Sequence, residues 1–235
     1  MIVCIPMGGV GKRFKEAGYG VYKSFLPMGD GQAMIKHVLA CYPKQAKYIL
    51  AIRKEYLESL AEAIPDFVAR IHVIEERTPG PLQTLLWNTP TLEALDIDEP
   101  LLIADSDSLI SPSELLRVLD TFALAGADGG VTTRYCVDEQ VSYARVDKGG
   151  WVEECREGDP FTTTSTTGPY WFRRGSDFVR VGLRAIAEGH RSISPVYNYL
   201  IGEGKRVMAI NVGTFRHLGT PEAYEEAIDQ IVGKS

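Results

Sequence analysis

The chain opens Ile2-Val3-Cys4-Ile5-Pro6-Met7-Gly8-Gly9-Val10-Gly11-Lys12-Arg13-Phe14, an apolar run that ends in a glycine-rich turn. Ile2 to Pro6 reads as a buried parallel strand that delivers the chain into a loop. The same kind of short apolar run recurs at Tyr48 to Ile52, Ile71 to Ile74, Leu101 to Ala104 and Gly130 to Thr133. Helical patterns such as Tyr56 to Ile64 and Leu115 to Leu124 lie between several of these runs. Strands alternating with helices predict βαβ units and an α/β fold, a mostly parallel (mixed) central sheet flanked by helices.

Three helix starts are marked by a hydroxyl residue followed by proline: Ser111-Pro112, Ser194-Pro195 and Thr220-Pro221. Such a hydroxyl satisfies an orphan amide, and proline at the first helical position gives up no hydrogen bond. Glu114 stands three residues after Ser111 and predicts a capping box. Tyr143 to Val146 and Trp151 to Cys155 alternate around Asp147-Lys148-Gly149-Gly150, which is hairpin chemistry and predicts a small β insertion in the second half. The polar run Thr162 to Thr167 reads as a loop before a strand at Tyr170 to Phe172.

With 235 residues, 45% of them hydrophobic, the chain suits one globular domain over 1–235 with a self-sufficient core. No run approaches the roughly 18 to 20 uncharged apolar residues of a membrane span, and no basic segment leads into a long apolar run at the start, so the expected location is the cytoplasm. Cys4, Cys41, Cys136 and Cys155 are far apart and form no CxxC pair, which excludes a zinc knuckle or redox dithiol and predicts reduced core thiols. A net charge of −6 argues against a nucleic-acid partner, which needs a clustered basic surface. A small anionic ligand needs only a local positive site. A homo-oligomer is compatible with the sequence, but nothing in it specifies one.

That local site is the N-terminal loop. Glycines there permit positive φ and let bare amides converge on an anion. A Walker A loop would require Ser or Thr after Gly11-Lys12, where Arg13 stands, and a dinucleotide fingerprint would require Gly or Ala at Phe14. What remains is a glycine loop with Arg13 at its exit and Lys23 further on, two cations suited to nucleotide phosphates. The plain alternative is a tight strand-to-helix turn with solvated basic residues. Asp105-Ser106-Asp107 follows Leu101 to Ala104, so two carboxylates stand at the carboxyl end of a central strand, where open α/β sheets bind ligands. Paired hard oxygens suit Mg²⁺ completed by phosphate and water.

Gly8 to Tyr19, followed by Lys23-Ser24-Phe25-Leu26-Pro27-Met28-Gly29, resembles the signature of the sugar-phosphate nucleotidyltransferases, the NTP-transferase family. Gly80-Pro81-Leu82-Gln83-Thr84 is similar to that family's base-binding loop. Thr167 to Phe172 is similar to its substrate-side Gly-x-Tyr-x-Phe strand, and Gly219-Thr220-Pro221-Glu222 to the close of its catalytic domain. The resemblance implies a Rossmann-like GT-A nucleotidyltransferase fold. It implies transfer of NMP from an NTP to a small phosphorylated metabolite with release of pyrophosphate, in nucleotide-sugar or polysaccharide biosynthesis.

Carried onto this sequence, the resemblance implies that Met7, Gly8, Gly9, Gly11, Lys12, Arg13, Gly80, Pro81 and Thr84 bind the nucleotide, with Arg13, Lys23 and Asp107 catalytic. It places the metal on Asp107, with Asp105 second. Three departures concern function, one of them at the acceptor, where the family's Glu-Lys after the hairpin is replaced by Glu153-Glu154-Cys155-Arg156-Glu157. The family's prolines beside its lysine are replaced by Tyr22 and Ser24, and the second metal carboxylate by His217, a poor ligand for Mg²⁺ and a better one for Mn²⁺. His217 is read either as a ligand or as a histidine beside the site. Tyr143, Glu154, Arg156 and Gly168 are the candidates for the acceptor pocket. Family members with a short catalytic domain often use CTP or UTP, so the resemblance implies a pyrimidine NTP. A metal-dependent GT-A glycosyltransferase and a nucleotide sensor that has lost catalysis are the rival readings.

Overall fold

A computed structural model describes residues 1–136 and 141–232. In chain order the elements are β1 (Ile2–Met7), α1 (Lys12–Glu16), α2 (Met34–Ala40), β2 (Lys47–Arg53), α3 (Leu57–Ala63), β3 (Arg70–Ile74), α4 (Pro81–Leu86), α5 (Thr89–Leu95), β4 (Leu101–Ile103) and β5 (Ser108–Leu109). The second half adds α6 (Pro112–Leu124), β6 (Gly129–Tyr135), β7 (Ser142–Val146), β8 (Val152–Glu157), β9 (Thr164–Phe172), α7 (Gly175–Ala187), α8 (Val196–Gly202), β10 (Val207–Asn211), β11 (Arg216–His217) and α9 (Pro221–Val232). No helix among the described residues is long and apolar enough to cross a membrane.

The central sheet runs in the order β10-β6-β9-β4-β1-β2-β3, and the β7–β8 hairpin hangs from β9. β1 pairs in parallel with β2 and with β4, β2 with β3, and β6 with β10; β9 runs against both of its neighbours. The strands alternate between two cores, as the period of two demands. Val3, Ile5 and Met7 pack on the side covered by Ile35 and Val38 of α2 and Leu115, Val118 and Phe122 of α6. Ile2 and Cys4 pack on the other side, with Leu82, Leu85 and Leu86 of α4 and Phe178 and Val181 of α7. The result is an α/β/α arrangement in which the apolar runs are buried on both faces.

Several local expectations are corrected. The polar run is a loop only at Thr162 and Thr163: β9 begins at Thr164, its β-branched residues pair with β6, and the Thr132 and Thr167 hydroxyls bond at 2.7 Å. The capping box at Ser111 does not form. Glu114 turns away to accept from the Gly213 and Thr214 amides at 3.1 and 3.0 Å and from the Thr214 hydroxyl, while Ser111 bonds the Ser113 hydroxyl. Ser194 caps nothing either, because Pro195 occupies the cap position and α8 starts at Val196. Thr220 does cap, accepting from the Ala223 amide at 3.3 Å. The hairpin forms around Asp147, whose side chain accepts from the amides of Gly149 and Trp151 at 2.8 and 2.9 Å. All four cysteines are free, with Cys136 only half-buried.

Candidate active site

From β1 the chain builds outward through β2 and β3, then returns to place β4 on the opposite side of β1. The loops after β1 and β4 therefore diverge and open a crevice at the carboxyl ends of the strands, the usual ligand position in such a sheet. A cavity of about 270 Å³ lies there. Gly8, Gly9 and Gly11 form one wall, Gly80, Pro81 and Thr84 another, and Lys23, Asp105 and Asp107 the floor between them. Gly11 adopts φ +64 at the start of α1, a left-handed turn that favours glycine. The Gly80 wall is braced by hydroxyls: Thr84 donates to the Gly80 carbonyl at 3.0 Å and stands 2.5 Å from the Thr78 hydroxyl.

Lys23 sits in a short 3-10 turn, Lys23–Phe25, and its ammonium bonds the Asp107 carboxylate. The replaced prolines on either side have structural work of their own. Tyr22 stacks on Tyr56 with ring centroids 4.3 Å apart, and the buried Ser24 hydroxyl donates to Ser106 at 3.0 Å. The second contact ties the lysine turn directly to the aspartate loop. Burial alone would lower the Lys23 pKa, but the charge of Asp107 and the hydrogen bond outweigh it and raise it. Burial opposes ionisation of Asp107 too, yet the Lys23 charge holds its carboxyl below the usual range. On Asp105 the Lys23 charge is outweighed: burial together with the Asp107 charge pushes its carboxyl up to about 7.

Two carboxylates that crowd one another in this way fit a divalent cation, which would relieve their repulsion through hard oxygen ligands. His217 reaches the floor on β11, which pairs with β5 and sets His217 opposite Ser108. Its Nδ1 lies 3.2 Å from the Ser108 hydroxyl and 3.9 Å from Asp107 Oδ1. Burial lowers the imidazole pKa, against the pull of Asp107. Among the described residues, no three His, Cys, Asp or Glu side chains are grouped to hold a metal ion, so the site offers two carboxylates with a histidine beside them.

The other expected residues are placed as follows. Met7 is buried in the core, Lys12 pairs with Glu16 at 3.6 Å, and Arg13 is exposed on α1, so none of the three lines the cavity. The charge of Arg13 still reaches His217. Gly168, at φ +52, lets β9 pass Asp105 so closely that a Cβ there would lie 2.7 Å from its Oδ2. Tyr143 is fully buried on β7. Glu154 and Arg156 bond each other at 2.6 Å on the hairpin, and Arg156 also bonds Asp159 at 2.8 Å. Neither lines the cavity at the aspartates. Residues that sequence reasoning missed line it, Tyr22, Arg77 and Thr78, or line an adjoining cavity of about 140 Å³, Arg134, Ser142 and Thr166. Arg77 and Thr78 are separated from the quoted Gly80 loop by Pro79 alone and could have been found from it; Arg134 carries no motif.

Comparison with known proteins bears on this arrangement. The chain matches the profile of the family described as nucleotidyl transferase over residues 3–233. A search of curated proteins finds no match. Among solved structures, a nucleoside-diphosphate-sugar pyrophosphorylase from Vibrio cholerae RC9 superposes with a TM-score of 0.82 at 22% identity, covering 98% of this chain and 100% of that one. A Bacillus anthracis protein provisionally described as a glucose-1-phosphate thymidylyltransferase gives 0.80 at 16% identity, over 98% and 94% of the two chains. The inositol-1-phosphate CTP transferase from T. maritima gives 0.74 at 14%, over 99% and 94%. These likenesses establish the shared fold, and the family profile, spanning nearly the whole chain, goes further: the protein belongs to the nucleotidyl transferase family and is a nucleotidyltransferase enzyme.

Proposed function

We propose that the enzyme transfers the nucleoside monophosphate of a pyrimidine NTP, CTP or UTP, to a sugar phosphate or other small phosphorylated metabolite and releases pyrophosphate. The observation that carries this reading is the meeting of Lys23, Asp105 and Asp107 on the floor of the cavity walled by the glycine loop. In the reaction an oxygen of the acceptor phosphate bonds to the α-phosphorus. The bond from the α-phosphorus to the bridging oxygen breaks, and pyrophosphate leaves with its electron pair. No protein nucleophile is needed. A phosphate monoester, with a second pKa near about 6, is already largely dianionic at pH 7 and requires no general base.

The difficulty is electrostatic, since two anions must meet while charge grows on the leaving oxygen. Lys23 stands on the floor as a permanent cation and would take the α-phosphate and the incoming phosphate in exchange for Asp107. Arg13, at the mouth of the glycine loop, would approach the β and γ phosphates when the triphosphate fills the crevice. The glycine amides would cradle the same phosphates. Asp107 and Asp105 would hold Mg²⁺, with Mn²⁺ the alternative favoured by the neighbouring imidazole, and the metal would supply charge neutralisation at the phosphates. The cytoplasm supplies both substrates.

The test is pyrophosphate release, with ATP, CTP, GTP, UTP and dTTP each paired with a panel of sugar and polyol phosphates, in Mg²⁺ and in Mn²⁺. Release that needs one pyrimidine NTP and one phosphorylated acceptor is the expected result. Release without an acceptor, or turnover of a nucleotide sugar in place of an NTP, would overturn the reading.

A further inference from the structure

On the far side of Asp105 from the glycine loop lies the second cavity, and Asp105 lines both. A group bound there and a nucleotide bound against the glycine loop would therefore meet across one carboxylate. The walls of this cavity are hydroxyl-rich, from Ser142, Thr166 and Tyr170, and are closed by the Phe215 ring and His217. Its cation is Arg134, on β6. The guanidinium lies over the Phe215 ring, 5.5 Å from the centroid. Arg134 also lines the wider opening of about 460 Å³ that adjoins this cavity, so it stands between the cavity and solvent.

Arg134 is the arginine that lines the smaller cavity, whereas Arg216 lines only the wider opening, and the two arginines of the hairpin are spent. Arg145 bonds Glu153 and Glu154 at 3.2 and 2.6 Å, and Arg156 bonds Glu154 and Asp159. Among the described residues the Arg134 guanidinium has no carboxylate partner, and its one hydrogen bond there goes to Cys136 Sγ at 4.0 Å. A guanidinium whose fork meets no carboxylate among the described residues is the side chain best shaped for two oxygens of one phosphate. A stacked ring holds it in place at no cost in hydrogen bonds.

We propose that Arg134 anchors the phosphate of the acceptor, and that the hydroxyls of Ser142, Thr166 and Tyr170 line the rest of the acceptor's seat. The proposal rests on the reading of the enzyme as one that transfers a nucleotide to a phosphorylated acceptor. It replaces Arg156 of the hairpin, where the sequence pointed, with a residue from a different strand.

The test is steady-state pyrophosphate release with the acceptor that the wild type uses in the panel above, in wild type, R134A, R134M, R134K and R156A. R134M keeps an unbranched apolar side chain in place of the guanidinium and guards against a merely structural loss. Removing a charge-assisted anchor raises the KM for the acceptor by on the order of 10- to 100-fold. The KM for the NTP stays within about twofold, R134K recovers part of the loss, and R156A behaves as wild type. An unchanged acceptor KM in R134A and R134M, or an equal rise in the NTP KM, would overturn the assignment of Arg134 while leaving the proposed reaction standing. A wild type that turns over no phosphorylated acceptor at all would instead remove the reaction, and the anchor with it.

Discussion

Lys23 and Asp107 form a buried ion pair at the point where an anionic ligand would enter, and each partner holds the other in its charged state. Such a pair is a poor source of stability, because both charges have been taken out of water. It is a good store of a preorganised cation. Lys23→Ala should lower kcat by about 10²- to 10³-fold while the KM for the NTP changes little, because the lysine acts on charge that grows in the transition state. Asp107→Asn should lose a comparable factor, and excess Mg²⁺ should not restore it. Both are read from initial rates of pyrophosphate release on variants whose far-ultraviolet circular dichroism matches wild type. Turnover at wild-type rates in either variant would remove that residue from the assigned role.

At the scale of elements, the sequence was most legible where one residue decides the geometry alone. The β1 run and its glycine turn, the Asp147 hairpin and the Thr220 cap needed no partner from elsewhere in the chain, and all three stand in the structure. Legibility failed where a distant segment competed for the same group. Glu114 could bond its own helix start or the amides of Gly213 and Thr214, and the loop won, since it offers three donors to one carboxylate. That clamp leads the chain into β11 and so into His217. The Thr214 hydroxyl, with the two amides and against burial, holds the Glu114 carboxyl below its usual range. A depressed pKa contributes stability that is present above the unfolded value, about 4.3, and is lost as pH falls through the folded one. Glu114→Gln should therefore cost about 1 kcal/mol at pH 7 and almost nothing near pH 3, by urea midpoints at the two values. An equal cost at both would show that the charge has no part in the clamp.

On the scale of the whole molecule, the strand order is what gathers the site. The glycine loop, Lys23, the Gly80 loop and the aspartates come from four separated segments, and only the return of β4 to the free side of β1 brings them together. The alternation of apolar runs and helices foretold such a sheet. The antiparallel insertion of β9 between β4 and β6 could not be read from it, because a strand's direction depends on which edge remains unpaired when it arrives. An assembled site of this kind has a consequence for the folded state. A ligand bound by four segments of the native sheet, and by none of the unfolded chain, stabilises the whole fold, by about 2.7 kcal/mol at a hundred times its Kd. For a chain of this length that corresponds to a rise in Tm of roughly 5 to 10 °C. The expected pattern is a shift of that size with CTP or UTP and Mg²⁺, a smaller one with ATP or GTP, and loss of most of it in EDTA or in Asp107→Asn. Differential scanning fluorimetry reads all of these. A shift that persists undiminished in EDTA would mean that the triphosphate is held by the glycine loop and the basic side chains alone, and that Asp105 and Asp107 owe their crowding to Lys23 and not to a metal.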